Sequence, residues 1–227
     1  MNTNGRTLNK WLRSLFFGVL FLGATTQAAF ATVMLTNSRA AVTTLGSQAF
    51  TVDWGALGGD FTALGSPVTN GPITVSGGSA FTVFNGSTYN ADFNPDEYVL
   101  SLFDLNIGDT VSGVFSLNFA SAVRAAGAQV QAFLSGAFTG TISAYDASNG
   151  LLGSFSVTGN NGQNGNGSAV FAGIISDSIN ITRLDFAFGP GAAINQVTAN
   201  VPEPSAFLLL LGPLAFLVVA RRRRIRG

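Results

Sequence analysis

The chain has no cysteine and no histidine, a single lysine at position 10, and only 10% charged residues among its 227. Without cysteine there are no disulfides and no thiol nucleophile. Without histidine, Ser-His-Asp triads and the usual zinc ligand sets are excluded. A lone Lys10 near the start leaves no Schiff-base lysine in the body. The charged fraction is well below the roughly 25% of an ordinary soluble domain.

The charge that is present is unevenly placed. Arg6, Lys10 and Arg13 make the first 31 residues basic, and five arginines against Glu203 make residues 201–227 basic. Between them, residues 32–200 hold three arginines (39, 124, 183) against ten acids, a net −7. An acidic body does not suit a phosphate backbone, so nucleic acid is not the expected partner.

What fills the chain instead is glycine (28), phenylalanine (20) and small polar residues. Both ends read as addresses. A basic stretch ending at Arg13 precedes the apolar run 15–24 (LFFGVLFLGA), and Ala29-Phe30-Ala31 then supplies an A-x-A site. Ten apolar residues rise only about 15 Å as a helix, half of a hydrocarbon core of roughly 30 Å. Residues 1–31 are therefore expected to be a cleaved signal peptide, read by the Sec export machinery and signal peptidase, with cleavage after Ala31.

At the far end, Val201, Pro202, Glu203, Pro204 and Ser205 come first, then an uncharged apolar run at 206–220, then Arg221, Arg222, Arg223, Arg224, Ile225 and Arg226. The prolines fix φ and remove two donors, so VPEPS should be extended. The apolar run is expected to form a transmembrane helix with its arginines on the cytoplasmic side. Fifteen residues span about 22 Å, which is short for a bilayer and suits a temporary hold.

This ending resembles the PEP-CTERM sorting signal of Gram-negative bacteria. The resemblance covers residues 201–227 and implies processing by exosortase, a membrane-embedded transpeptidase-like enzyme. It further implies passage through the inner membrane to the cell surface or exopolysaccharide matrix. On that resemblance Pro202, Glu203 and Pro204 are recognition residues in a substrate.

Residues 32–200 are expected to form one all-β extracellular domain, an antiparallel β-sandwich or jelly roll. Seven runs alternate apolar and polar residues: 49–54, 80–85, 110–119, 138–146, 151–159, 168–175 and 181–188. In TVSGVFSLNF, Phe115, Leu117 and Phe119 fall on one face and Ser116 and Asn118 on the other. Turn signals at Asn85-Gly86, Asn94-Pro95, Asn149-Gly150 and Gly189-Pro190-Gly191 separate the runs. Residues 144–157 read as a hairpin turning at 146–150. The body is similar, loosely, to the β-sandwiches common in PEP-CTERM proteins, which resemble carbohydrate-binding jelly rolls. The Gly/Asn-rich stretch 158–168 lacks a P-loop context and reads as a flexible hairpin loop.

Three kinds of chemistry are weighed. Asp92, Asp96, Glu97, Asp104 and Asp109 could supply a glycosidase pair, but NPDEY reads more simply as a turn leading into a strand. Loop aspartates, asparagines and carbonyls suit calcium, yet no EF-hand-type loop is present and no cofactor is expected. Trp54, Tyr89, Tyr98 and Tyr145 could form a sugar-stacking platform or belong to the core. The sequence thus reads as a structural or adhesive surface protein with an exopolysaccharide as a partner, and not as an enzyme. A secreted carbohydrate-active enzyme and a permanently anchored single-pass protein remain open.

Overall fold

A computed structural model of the protein describes residues 31–45 and 48–201. The expected signal segment, apart from Ala31, and the expected sorting segment, apart from Val201, lie outside the described residues, as do the helices expected in them. Among the described residues no helix is long and apolar enough to cross a membrane.

In chain order the elements begin with β1 (Val33–Thr36), a one-turn helix α1 (Arg39–Thr43), β2 (Gln48–Val52), β3 (Thr62–Leu64), β4 (Val68–Asn70) and β5 (Ile73–Gly78). There follow β6 (Phe81–Asn85), β7 (Tyr98–Ser101), the two-residue strands β8 (Phe103–Asp104) and β9 (Asp109–Thr110), and β10 (Gly113–Val123). The last six are β11 (Ala125–Gln131), β12 (Gly136–Tyr145), β13 (Leu151–Asn161), β14 (Val170–Ser176), β15 (Ile181–Ala187) and β16 (Ala193–Val201). The strands form an eight-stranded sheet, ordered β1-β14-β11-β16-β7-β6-β3 with β2 also on β16, and a six-stranded sheet, β13-β12-β15-β10-β5-β4. All pairings are antiparallel, and β8 and β9 pair separately.

The alternation read from the sequence builds the core. In β10, Phe115, Leu117 and Phe119 point inward; Leu184 and Phe186 of β15 and Ile142 and Ala144 of β12 join them. From the opposite sheet come Phe81 and Val83, Ala126, Ala128 and Val130, and Ile194, Val197 and Ala199. Phe81 and Phe115 stack across the sandwich with ring centres 5.8 Å apart. A fully buried aromatic of this kind contributes about 2–3 kcal/mol by removal from water. Trp54, fully buried, closes one side, its Nε1 donating to the Asn195 carbonyl at 3.0 Å.

The eight-stranded sheet carries a second layer on its outer face. The segment 86–97 folds over β6, β7 and β16, burying Tyr89, Ala91 and Phe93 against Phe84, Val99 and Ala193. Gly86 is required there, because a β-carbon would run into the Asn94 carbonyl oxygen. Beside it, α1 sets Val42 on Ala125 and Phe171. Ser38 caps this helix, its hydroxyl accepting the Ala41 amide.

Strand register also locates the ends of the body. Met34 pairs with Ile175, Ile175 with Ala125, and Ala125 with Asn200. The first and last strands therefore start and finish at one end of the same sheet, three strand spacings or roughly 14 Å apart.

Candidate functional site

Among the described residues, no second layer covers the outer face of the six-stranded sheet. Register places Ser76, Ser116, Asp185, Ser143 and Ser154 in one row across five strands. The next row is Thr69, Thr74, Asn118, Arg183 and Tyr145. The period-two pattern that sends Phe115, Leu117, Leu184 and Phe186 inward sends these hydroxyls and amides outward.

Neighbouring groups within the rows bond to one another, which fixes their directions. The Ser143 and Ser154 hydroxyls lie 2.8 Å apart, and those of Thr69 and Thr74 3.0 Å apart. Asn118 Nδ2 donates to the Ser116 carbonyl at 3.1 Å and to the Thr74 carbonyl and Ser76 hydroxyl at 3.3 Å. Arg183 is the cation of this face. Its guanidinium carbon sits 3.9 Å from the centre of the Tyr145 ring, and Nη1 donates to Asn149 Oδ1 at 2.8 Å. Its Nε lies 3.1 Å from Asp185 Oδ1 but is not aligned on it as a hydrogen bond, so the attraction is coulombic. The arginine is thus neutralised and held flat on its own sheet.

Asn149 is presented by the β12–β13 hairpin, with φ at +62°. The Asp146 carboxylate accepts the Ser148 hydroxyl at 2.6 Å and the Ser148 and Gly150 amides at 2.8 Å, closing the turn. Led by the Ser148 hydroxyl, these bonds hold its carboxyl below the ordinary value.

The carboxylates singled out from the sequence do not converge. Asp92 is buried and accepts the Gly162 amide at 2.6 Å, the Asn164 amide at 2.7 Å and Gln131 Nε2 at 3.3 Å. Burial alone would raise its pKa, but these bonds, that from Asn164 foremost, outweigh it and hold the group below its usual range. Glu97 receives Asn195 Nδ2, Asp104 accepts the Asn106 amide at 2.8 Å, and Asp109 accepts that of Thr110 at 2.6 Å. Asp96 is exposed on its turn. Among the described residues no cluster of three or more acids is placed to hold a metal ion.

One expectation is corrected, and one open alternative is decided. The stretch 158–168 is not a flexible loop: residues 158–161 complete β13, and the remainder is pinned to segment 90–94. Besides the Asp92 contacts, Gly165 N donates to the Ala91 carbonyl and Ala169 N to that of Asp92, both at 3.0 Å. Of the two readings open for the four aromatics, the core holds for three. Trp54 and Tyr89 are buried and Tyr98 packs on the core, so Tyr145 alone reaches the outer face, beneath Arg183. The Tyr89 hydroxyl donates to the Gly191 carbonyl, and burial pushes its pKa far above the ordinary phenol value.

A polar ridge across the other sheet was not read from the sequence. Arg39 donates to Gln196 Oε1 at 3.3 Å and to Gln129 Oε1 at 3.2 Å, while Gln129 Nε2 donates to the Gly167 and Ala169 carbonyls at 3.0 Å. These groups tie α1, two strands and the pinned loop together and face one another, leaving little free to meet a ligand.

No protein-family model matches the chain, and no curated protein matches it. Among solved structures, a DUF4465 family protein from Bacteroides caccae is similar at 10% identity and TM-score 0.39, over 68% of this chain and 100% of that one. CsCBM6-3 from Clostridium stercorarium, in complex with cellobiose, is similar at 14% identity and TM-score 0.30, over 63% and 95%. The enzymatically active domain of tailspike protein 4 of Bacteriophage CBA120 is similar at 14% and 0.28, over 76% of this chain and 20% of that chain. The architecture rests on the strand pairings themselves.

Proposed function

We propose that the chain is an exported, non-enzymatic surface or exopolysaccharide-matrix protein whose sandwich, of the jelly-roll kind, binds an uncharged polysaccharide on the outer face of its six-stranded sheet. The cleaved signal opens the export route. The 206–220 helix then holds the protein in the inner membrane, and exosortase releases it near Pro202–Ser205. The tripartite ending at 201–226 supports the sorting half of this reading.

One observation carries the binding half. Of the two outer sheet faces, one is covered by the chain's own segments, and the other presents two rows of hydroxyl, amide and guanidinium groups spanning five strands. Such a surface exchanges hydrogen bonds with sugar hydroxyls at little reorganisation cost. A body of net −7, whose Arg183 is already neutralised by Asp185, repels a polyanion and tolerates a neutral glycan.

Affinity electrophoresis of the purified protein through gels containing the host's own polysaccharides tests this. A neutral polysaccharide is expected to retard the protein, and Arg183→Ala, which uncovers Tyr145 and unpairs Asp185, is expected to weaken retardation about three- to tenfold. Equal mobility in every gel would sink the binding half.

A further inference from the structure

From its free edges we infer that the protein pairs with a second copy of itself along β13, joining two six-stranded sheets into one of twelve. This inference stands apart from the glycan reading.

Among the described residues the other outermost strands are short: β1 has four residues, β3 and β4 three each, and β2 five. Pro67 and Pro72 flank β4, further blunting that edge. β13 is different. It runs for eleven residues, Leu151–Asn161, and among the described residues pairs only with β12. It contains no proline, and no charged residue occurs between Asp146 and Asp177. Lysines, prolines and inward charges are the usual guards of an exposed edge, and this one has none. Its inner side is sealed, since a β-carbon at Gly159 would meet the Phe138 ring and one at Gly153 the Val33 side chain. The outward backbone groups are not sealed: apart from Gln131 Nε2 on the Asn160 carbonyl, no described group outside β12 bonds to the strand's backbone.

The strand complements itself. In an antiparallel pairing with a two-fold axis at Ser156, Phe155 faces Val157 of the second copy, Ser154 faces Thr158, and Gly153 faces Gly159. Over residues 153–159 every pair keeps its side of the sheet, so Phe155 and Val157 remain inside and the hydroxyls of Ser154, Ser156 and Thr158 outside. An uncharged strand favours an equally uncharged partner, which a second copy supplies. The pairing is isologous and uses one edge per copy, so it closes at a dimer.

The absence of cysteine makes the test clean. In the full chain in mild detergent, Ser156→Cys places two thiols opposite each other at roughly 4.5–5.5 Å between Cα atoms, inside disulfide range. In Thr158→Cys the two thiols sit about 13 Å apart, four residues at roughly 3.3 Å each, and cannot join. Mild oxidation should therefore give a disulfide dimer from the first variant and leave the second monomeric, while mixing Ser154→Cys with Thr158→Cys should restore crosslinking. Ser156→Lys, exposed and still folded by circular dichroism, should weaken the dimer about tenfold or more in light scattering. A monomeric protein at every concentration, or crosslinking as efficient at position 158 as at 156, would overturn the inference. The latter would place any self-association, such as one driven by the apolar tail, elsewhere.

Discussion

The Asp92 carboxylate accepts the Asn164 backbone amide at 2.7 Å across 72 positions of sequence. With the Gly162 amide and Gln131 Nε2 on the same group, it fastens the loop after β13 to the layer over the eight-stranded sheet. Asp92→Ala leaves two backbone donors without their acceptor, and Asp92→Asn turns an N–H toward one of them. Either should cost about 2–3 kcal/mol, read as a lowered urea midpoint, with new protease cleavage within 162–168. Because the folded carboxyl titrates below its ordinary value, its contribution is fully present above about pH 4 and lost as pH falls through the folded pKa. In the Asn variant that part of the acid sensitivity should vanish.

Removing the Tyr89 hydroxyl tests the same layer from beneath. Tyr89→Phe keeps the ring contacts with Phe84 and Phe93 and leaves the Gly191 carbonyl to the Ser101 hydroxyl, 3.2 Å away. A loss of about 1 kcal/mol in denaturant unfolding is expected. A loss several times larger would mean that the hydroxyl holds the layer in place.

Much of the fold was legible because period two is hard to disguise. β6, β10, β12, β13, β14 and β15 lie where alternation put them, and the Asp146–Gly150 turn joins β12 to β13. β11 (AAGAQVQ) and β16 (AINQVTANV) were not among the alternating runs. Both faces of these strands are covered, so Gln131, Asn195, Thr198 and Asn200 are as buried as Val130 and Val197, and the contrast fades. In 49–54 the alternation overran its strand: β2 stops at Val52, and Asp53 caps a short turn carrying Trp54. The role of Asp92 was hidden for another reason, since a carboxylate in ADFNPDEY gives no hint of an amide seventy residues away. The outer rows of the six-stranded sheet were half visible. Ser116 and Asn118 fell on a solvent face, but only strand order sets them beside Asp185 and Arg183.

The start of the body makes a prediction about processing. Thr32 N donates to the Asp177 carboxylate at 3.0 Å, and that bond is the foremost cause holding the Asp177 carboxyl below its ordinary value. Cleavage after Ala31 would turn this amide into an ammonium facing the same carboxylate. Asp177→Asn should then lower the melting temperature of the exported protein at pH 6 and by less at pH 2, because the carboxylate's contribution is lost as pH falls through its folded pKa, below the ordinary value. Equal losses at both pH values would remove the carboxylate from the account.

The sorting tail is tested by grafting residues 201–227 onto an inert exported reporter in the native host. Mass spectrometry should find reporter outside the inner membrane, trimmed near Pro202–Ser205. Surface material that still ended in Arg226-Gly227 would make the protein a permanently anchored one.

Strands β1 and β16 bring Thr32 and Val201 out at one end of the eight-stranded sheet, while Gln131 and the Asp92 clamp occupy the other. On the proposed export route, a cargo tethered through its leader during translocation and through its tail afterwards would hang from one pole throughout. On that route, handing over from one leash to the next would not require it to somersault, and the clamped loops would lie at the tip away from both tethers.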